Sequence, residues 1–139
     1  MAARWRPEGI DHVGIAVRSI AVSSRLYAQL GVEVGPPEHL PDDAVSAAFI
    51  VLGAVRIELL EPLGPEGPVA RFLVRRGEGI HHIAFAVGDI VQALEHARHE
   101  GFRLIDDVPR RGAHNSRVAF LHPKDTHGVL VELVERAAS

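Results

Sequence analysis

Apolar and polar positions alternate along this chain in short runs, and two of the runs nearly repeat. "EGIDHVGIAV" (Glu8 to Val17) and "EGIHHIAFAV" (Glu78 to Val87) each read as a strand, because alternation with a period of two marks a half-buried strand. Strand parity groups His12 with Gly14 and Ala16 and sends Val13, Ile15 and Val17 to the other face. His82 likewise shares a face with Ala84 and Ala86, opposite His81, Ile83, Phe85 and Val87. One face is bulky and suits packing on a helix. The other surrounds a histidine with small residues, which leaves space for something to reach it.

The repeat extends beyond these strands. His12 and His82 lie 70 residues apart, as do Gly31 and Gly101, each closing a helical pattern. "VRIELLE" and "VLVELVE" then match with Glu58 and Glu132 lying 74 residues apart, so four residues are inserted between. The first helix, in "SIAVSSRLYAQLG", presents Ile20, Val22, Leu26 and Leu30 as its apolar set; the second, in "GDIVQALEHARHEG", presents Ile90, Leu94 and Ala97 behind an Asp89 N-cap. Three strands are predicted after each helix: "VEVG", "VSAAFIVL" and "VRIELLE", then "FRLID", "SRVAFLH" and "GVLVELVE". The fold class predicted is α+β, one domain of two tandem β-α-β-β-β modules. Module one covers about 8–62, a Pro- and Gly-rich linker with a short helical turn about 63–77, and module two about 78–136. Modules of this size bury little surface alone and are expected to share a core.

Composition narrows the function. With 139 residues, net charge −3 and acids and bases interspersed, the chain shows neither a basic nucleic-acid footprint nor a membrane-binding face. No run approaches the ~20 apolar residues of a membrane span. The N-terminal "MAARWRPEG" has no apolar stretch after its arginines and is not read as a secretory signal, so a cytoplasmic location is expected. A small molecule or a second copy is the expected partner. Cysteine is absent, so any metal must use His, Asp or Glu.

Glu58 and Glu132 sit among apolar neighbours, where an uncompensated carboxylate is costly, and the two strand histidines pose the same demand. A divalent cation taking His12, Glu58, His82 and Glu132 meets all four needs. Two nitrogens and two carboxylates suit Co, Mn, Ni, Fe or Zn better than Ca or Mg, with positions open to water or substrate. Other histidines read more simply. His81 faces away from His82 and is expected to pack or meet solvent; His96 and His99 lie on the polar side of a helix; His127 is a candidate to border the site. Arg110 and Arg111 are each expected to be solvated.

The chain resembles the vicinal oxygen chelate (glyoxalase/bleomycin resistance/dioxygenase) superfamily, whose paired modules form a cupped mixed sheet with a metal in its cleft. Within it the methylmalonyl-CoA epimerases resemble it most, through "IDHVGIAV", "IELLEPLG", "FLVRRGEGIHHIAFAV", "GAH" at Gly112 to His114 and "VAFLHPKDTHGVLVEL". The resemblance implies His12, Glu58, His82 and Glu132 as ligands, with Glu132 also a catalytic acid or base. It implies exchange of the C2 proton of an acyl-CoA through an enolate, and a homodimer. His114 and Lys124, on loops, are candidate contacts for substrate carboxylate or phosphate. Some epimerases carry a glutamate in the middle strand of the first module; here Ala47 stands near that place, with Asp42 and Asp43 just before the strand. The alternatives are a glyoxalase I-like lactoylglutathione lyase and a non-catalytic small-molecule binding protein of the same fold. An extradiol dioxygenase fits less well, since its three-ligand triad has no use for Glu58.

Overall fold

The structure, a computed structural model, describes residues 6–137. Residues 1–5, on which much of the reading of the N-terminus as lacking a secretory signal rests, lie outside the described residues. Eight strands and three helices follow in the order β1 (Gly9–Ala16), α1 (Ile20–Gln29), β2 (Glu38–Leu40), β3 (Val45–Leu52), β4 (Val55–Pro62), α2 (Pro68–Arg76), β5 (Gly79–Ala86), α3 (Ile90–His99), β6 (Arg110–Arg111), β7 (Arg117–Leu121) and β8 (Val131–Glu135). Parallel and antiparallel pairings both occur, so the fold is α+β with mixed strands. No described helix is long and apolar enough to cross a membrane. The described residues divide into two compact units, one of residues 12–81 and one of 82–137 together with 6–11.

In the first unit the strand order is β2-β3-β4-β1. β1 runs parallel to β4, and β4 is antiparallel to β3, which pairs with β2. Ser19 caps α1, its hydroxyl accepting from the Val22 N–H at 3.1 Å. The helix buries Ile20, with Tyr27 half-buried beside it, against Ile15, Val17, Ile57 and Leu59. Val22, Leu26 and Leu30 are exposed instead. The expected apolar set fails because residues two apart on a helix point about 200° apart, so Ile20 and Val22 cannot share a face. On the opposite side of the strands, Ala16, Val45, Ala47 and Leu60 pack with Val69 and Phe72 of α2.

The second unit repeats the plan in the order β5-β8-β7-β6. Asp89 caps α3 by accepting from the Gln92 N–H at 3.1 Å. Ile90, Ala93, Leu94 and Ala97 are buried against Ala119, Leu121, Val131 and Leu133, as the spacing predicts.

The first short strand after each helix falls elsewhere than expected. In the first unit β2 is Glu38–Leu40, not "VEVG". There Gly35 donates a single bond to the Phe49 carbonyl at 2.9 Å, and Pro36 and Pro37 then have no N–H with which to continue a ladder. In the second unit β6 is Arg110–Arg111, and "FRLID" leaves only a bridge from Leu104 to Leu121. The cause is Asp106, whose carboxylate accepts the Phe120 N–H at 2.9 Å and so replaces a backbone acceptor.

Two ion pairs brace the second unit. Asp11 is buried, and both its oxygens accept from Arg136 at 2.7 Å, a two-pronged pair tying the start of β1 to the residue after β8. Removing one partner strands a buried charge. Arg136 keeps some exposure, so Arg136→Ala is expected to lower unfolding free energy by about 2–3 kcal/mol in urea melts, and Arg136→Lys to restore only part. Arg103, by contrast, holds Asp125 at the surface through its backbone N–H (2.8 Å) and its guanidinium (2.9 and 3.1 Å). These hydrogen bonds hold the Asp125 carboxyl down at about 2. A carboxylate with a depressed folded pKa contributes stability above its unfolded pKa and loses it as pH falls through the folded value. The contribution is therefore expected to disappear between about pH 4 and pH 2. In Arg103→Ala, the Asp125 carboxyl is expected to titrate near an ordinary aspartate value by NMR.

Candidate metal centre

β1 and β4 lie parallel with Gly14 opposite Glu58, and on the other side of β4 Phe49 is opposite the same glutamate. Glycine leaves the space beside the carboxylate open. His12, two residues back on the same face, reaches into it: its Nε2 stands 3.2 Å from Glu58 Oε1. Phe49 closes the other side, its ring edge-on to the imidazole at 5.9 Å and 89°. His12 and Glu58 are 4% and 6% exposed, although both are polar.

The second unit builds the same arrangement. Ala84 and Phe120 flank Glu132 on its two neighbouring strands. His82 Nε2 lies 3.3 Å from Glu132 Oε1, and the Phe120 ring meets the imidazole at 5.4 Å and 87°. His82 and Glu132 are 3% and 6% exposed. Small residue, histidine, glutamate and phenylalanine thus recur in the same register.

A second carboxylate in each glutamate strand explains the helices. Glu61 and Glu135 lie three residues beyond Glu58 and Glu132, and odd spacing turns them to the opposite face. There Glu61 accepts from the Ile20 N–H at 2.7 Å and Glu135 from the Ile90 N–H at 2.9 Å. Each occupies the positive end of the helix that packs behind the strand. One face of "ELLE" and "ELVE" therefore presents a carboxylate to a histidine, and the other anchors a helix.

The donor set fits a metal. Each unit buries one imidazole beside one carboxylate, His12 with Glu58 and His82 with Glu132. Imidazole nitrogen and carboxylate oxygen, without thiolate, suit a borderline divalent ion.

The remaining sequence candidates sit elsewhere. His81 is half-buried edge-on to Phe72 at 5.2 Å, which matches the packing role expected from its parity. His114 is exposed in a turn at Ala113–Asn115 with left-handed backbone (φ 53°), and Lys124 and His127 are exposed on the connection from β7 to β8. His99 is exposed and His96 half-buried. Asp42 is exposed and Asp43 half-buried in a turn before β3, whereas Ala47 is buried beneath α2. Phe49 and Phe120 are the residues that strand reading missed. Their signal is the dipeptide Ala-Phe in the third strand of each copy, "AAF" and "VAF".

Phe49→Ala is expected to cost about 3–4 kcal/mol in unfolding free energy, and Phe49→Leu under about 1.5. The alanine variant is also expected to move the His12 ring-proton resonances by removing the edge-on ring, which NMR reads directly.

Comparison with known proteins bears on what this geometry does. The model of the Glyoxalase/Bleomycin resistance protein/Dioxygenase superfamily matches residues 11–120. The ethylmalonyl-CoA/methylmalonyl-CoA epimerase of Cereibacter sphaeroides is 44% identical over 127 residues, covering 89% of this chain and 95% of that protein. The crystal structure of methylmalonyl-CoA epimerase from Mycobacterium tuberculosis is 39% identical, with a TM-score of 0.92 over 99% of this chain and 94% of that one. A substituted Streptomyces coelicolor methylmalonyl-CoA epimerase, in complex with 2-nitronate-propionyl-CoA, is 40% identical with a TM-score of 0.92, covering 96% and 97%.

Proposed function

We propose that this chain, which belongs to the Glyoxalase/Bleomycin resistance protein/Dioxygenase superfamily, is an isomerase that interconverts the C2 stereoisomers of methylmalonyl-CoA. The observation that carries the reading is the duplicated, buried His–Glu pair, His12 with Glu58 and His82 with Glu132, in a chain about 40% identical to epimerases over most of its length.

In this reading His12, Glu58, His82 and Glu132 hold one divalent cation drawn from Co, Mn, Ni, Fe and Zn. When bound, the cation supplies Lewis-acid polarisation of the substrate oxygens, which favours the enolate that forms as the C2 proton leaves. The chain's own residues do the rest. Glu132 exchanges the proton at C2, a role open to a carboxylate. Phe49 and Phe120 fix the imidazole planes and keep water from the two pairs. Gly14 and Ala84, beside the two carboxylates, leave the volume a substrate needs. His114 and Lys124 meet the acyl-CoA from exposed loops. The enzyme works in the cytoplasm as a homodimer, the common symmetric assembly.

Deuterium wash-in at C2 of methylmalonyl-CoA, run against the five ions, tests reaction, substrate and metal together. Exchange that requires an added ion is expected. Metal-replete protein that exchanges no C2 hydrogen with any of the ions overturns the reading. Glu132→Gln is expected to lower kcat by about 10²–10⁴-fold, the usual contribution of a positioned acid or base. His12→Ala and His82→Ala are expected to lose bound metal by elemental analysis of the purified protein.

A further inference from the structure

The β6–β7 hairpin sets two like charges face to face. Arg111 lies directly opposite Arg117 across the antiparallel pair, where side chains start about 4.5–5.5 Å apart and equal charges repel. The fold does not require this. In the first unit the same cross-strand position is held by His39 opposite Ser46, next to Glu38 opposite Ala47, where the second unit has Arg110 opposite Val118. Three cationic side chains stand where the sister copy has none that is permanently charged.

The arginines line a cavity of about 390 Å³, together with Asn115, Ser116 and Glu135, at the small end of ligand clefts, which run roughly 300–1,000 Å³. Strand parity turns Arg111 and Arg117 to the face of Glu135 and Arg110 to the other, so two cationic side chains stand beside one carboxylate and the lining is net cationic. That carboxylate is divided: Glu135 gives one oxygen to the Ile90 N–H at 2.9 Å and reaches Arg117 with the other only at 3.4 Å. Arg110 pairs with Asp106 at 2.9 Å and lies over the Phe120 ring at 5.8 Å, which fixes its plane. Arg111 is exposed, and among the described residues no ion pair is recorded for it.

The turn holding the arginines is rigid. A Cβ on Gly112 would stand 2.6 Å from Val118 Cγ1 and 2.8 Å from Ser116 Oγ, so a larger residue would force these side chains to shift. The buried Ser116 hydroxyl donates to the Ala113 carbonyl at 2.8 Å, and the Gly112 N–H donates to the Ser116 carbonyl at 2.9 Å. His114 and Asn115 both hold left-handed backbone, at φ 53° and 59°, a conformation that costs such residues roughly 1–3 kcal/mol. A built, cationic and pre-organised cavity recognises an anion rich in acceptor oxygens, because planar guanidinium forks match phosphate geometry.

We propose that this cavity, through Arg111 and Arg117, binds a phosphate group. The group belongs either to the nucleotide end of a coenzyme A thioester, which rests on the epimerase reading above, or to a free phosphate compound, which does not. The test titrates the full-length protein with adenosine 3′,5′-bisphosphate and with inorganic phosphate at low ionic strength, by calorimetry and by the amide resonances of Arg111, Asn115 and Arg117. Saturable binding with shifts at these amides is expected. Arg111→Gln with Arg117→Gln is expected to weaken it at least about tenfold, the loss of one or more charge-assisted bonds, with unchanged or higher Tm as the like-charge pair is relieved. Arg111→Lys is expected to retain part of the affinity. Preference for the bisphosphate, with KM for methylmalonyl-CoA raised in the double variant and KM for the pantetheine thioester unchanged, assigns the coenzyme. Equal affinity for both probes with neither KM altered assigns a free phosphate compound. Wild-type protein that binds neither probe at millimolar concentration overturns the proposal, as does a double variant that binds like wild type. The binding arms need no turnover, so they stand or fall separately from the epimerase reading.

Discussion

An imidazole and a carboxylate buried side by side among apolar strands must be satisfied by one another and by whatever else enters, because water does not reach them. Both units of this protein impose that condition. His12 with Glu58 and His82 with Glu132 stand at 3.2 and 3.3 Å, each residue no more than 6% exposed. The surrounding sequence follows from it. A bulky residue at Gly14 or Ala84 would fill the place beside the carboxylate, and a small one at Phe49 or Phe120 would open the pair to solvent. Desolvation of both members also makes buried pairs weak contributors to folding in their own right, so their repetition points to use rather than to stability.

The same strands solve a second problem with the same residue type. Glu61 and Glu135 take the first N–H of α1 and α3, and because they lie an odd number of residues from Glu58 and Glu132, they cannot compete for the histidines. Helix placement and site placement are thereby coupled. A one-residue slip of β4 or β8 would exchange the two carboxylates between faces and lose both functions at once.

Much of this was legible in the sequence, and for a definite reason. Alternation with period two picked His82 over His81 in "HH", and His81 indeed turns to Phe72 while His82 meets Glu132. The α3 face was legible because Ile90, Leu94 and Ala97 keep helical spacing with nothing contrary nearby. The α1 face was not, since Ile20 and Val22 point apart. Nor were β2 and β6, whose positions depend on prolines that lack an N–H and on the Asp106 side chain that substitutes for a backbone acceptor. Edge strands are set by such local exceptions, whereas inner strands answer to burial on both faces. Phe49 and Phe120 were invisible as partners of the histidines because their contact runs across two strands, which no single-strand period reports.

The inserted residues show where the copies were free to part. The register of Phe49 and Phe120 against their glutamates locates one insertion before β7 and three between β7 and β8. The tight Gly53–Ala54 turn of the first unit becomes a nine-residue connection, with His127 and Gly128 both in left-handed backbone. Nothing inside the strands that hold the His–Glu pairs could lengthen without breaking parity. The copies therefore differ most at their turns and edge strands: β6 and the start of β7 carry Arg110, Arg111 and Arg117, and the turn before β3 carries Asp42 and Asp43. Similar inner strands and differently charged edges are what a duplicated scaffold yields when its buried pairs must keep their register and its turns are free to diverge.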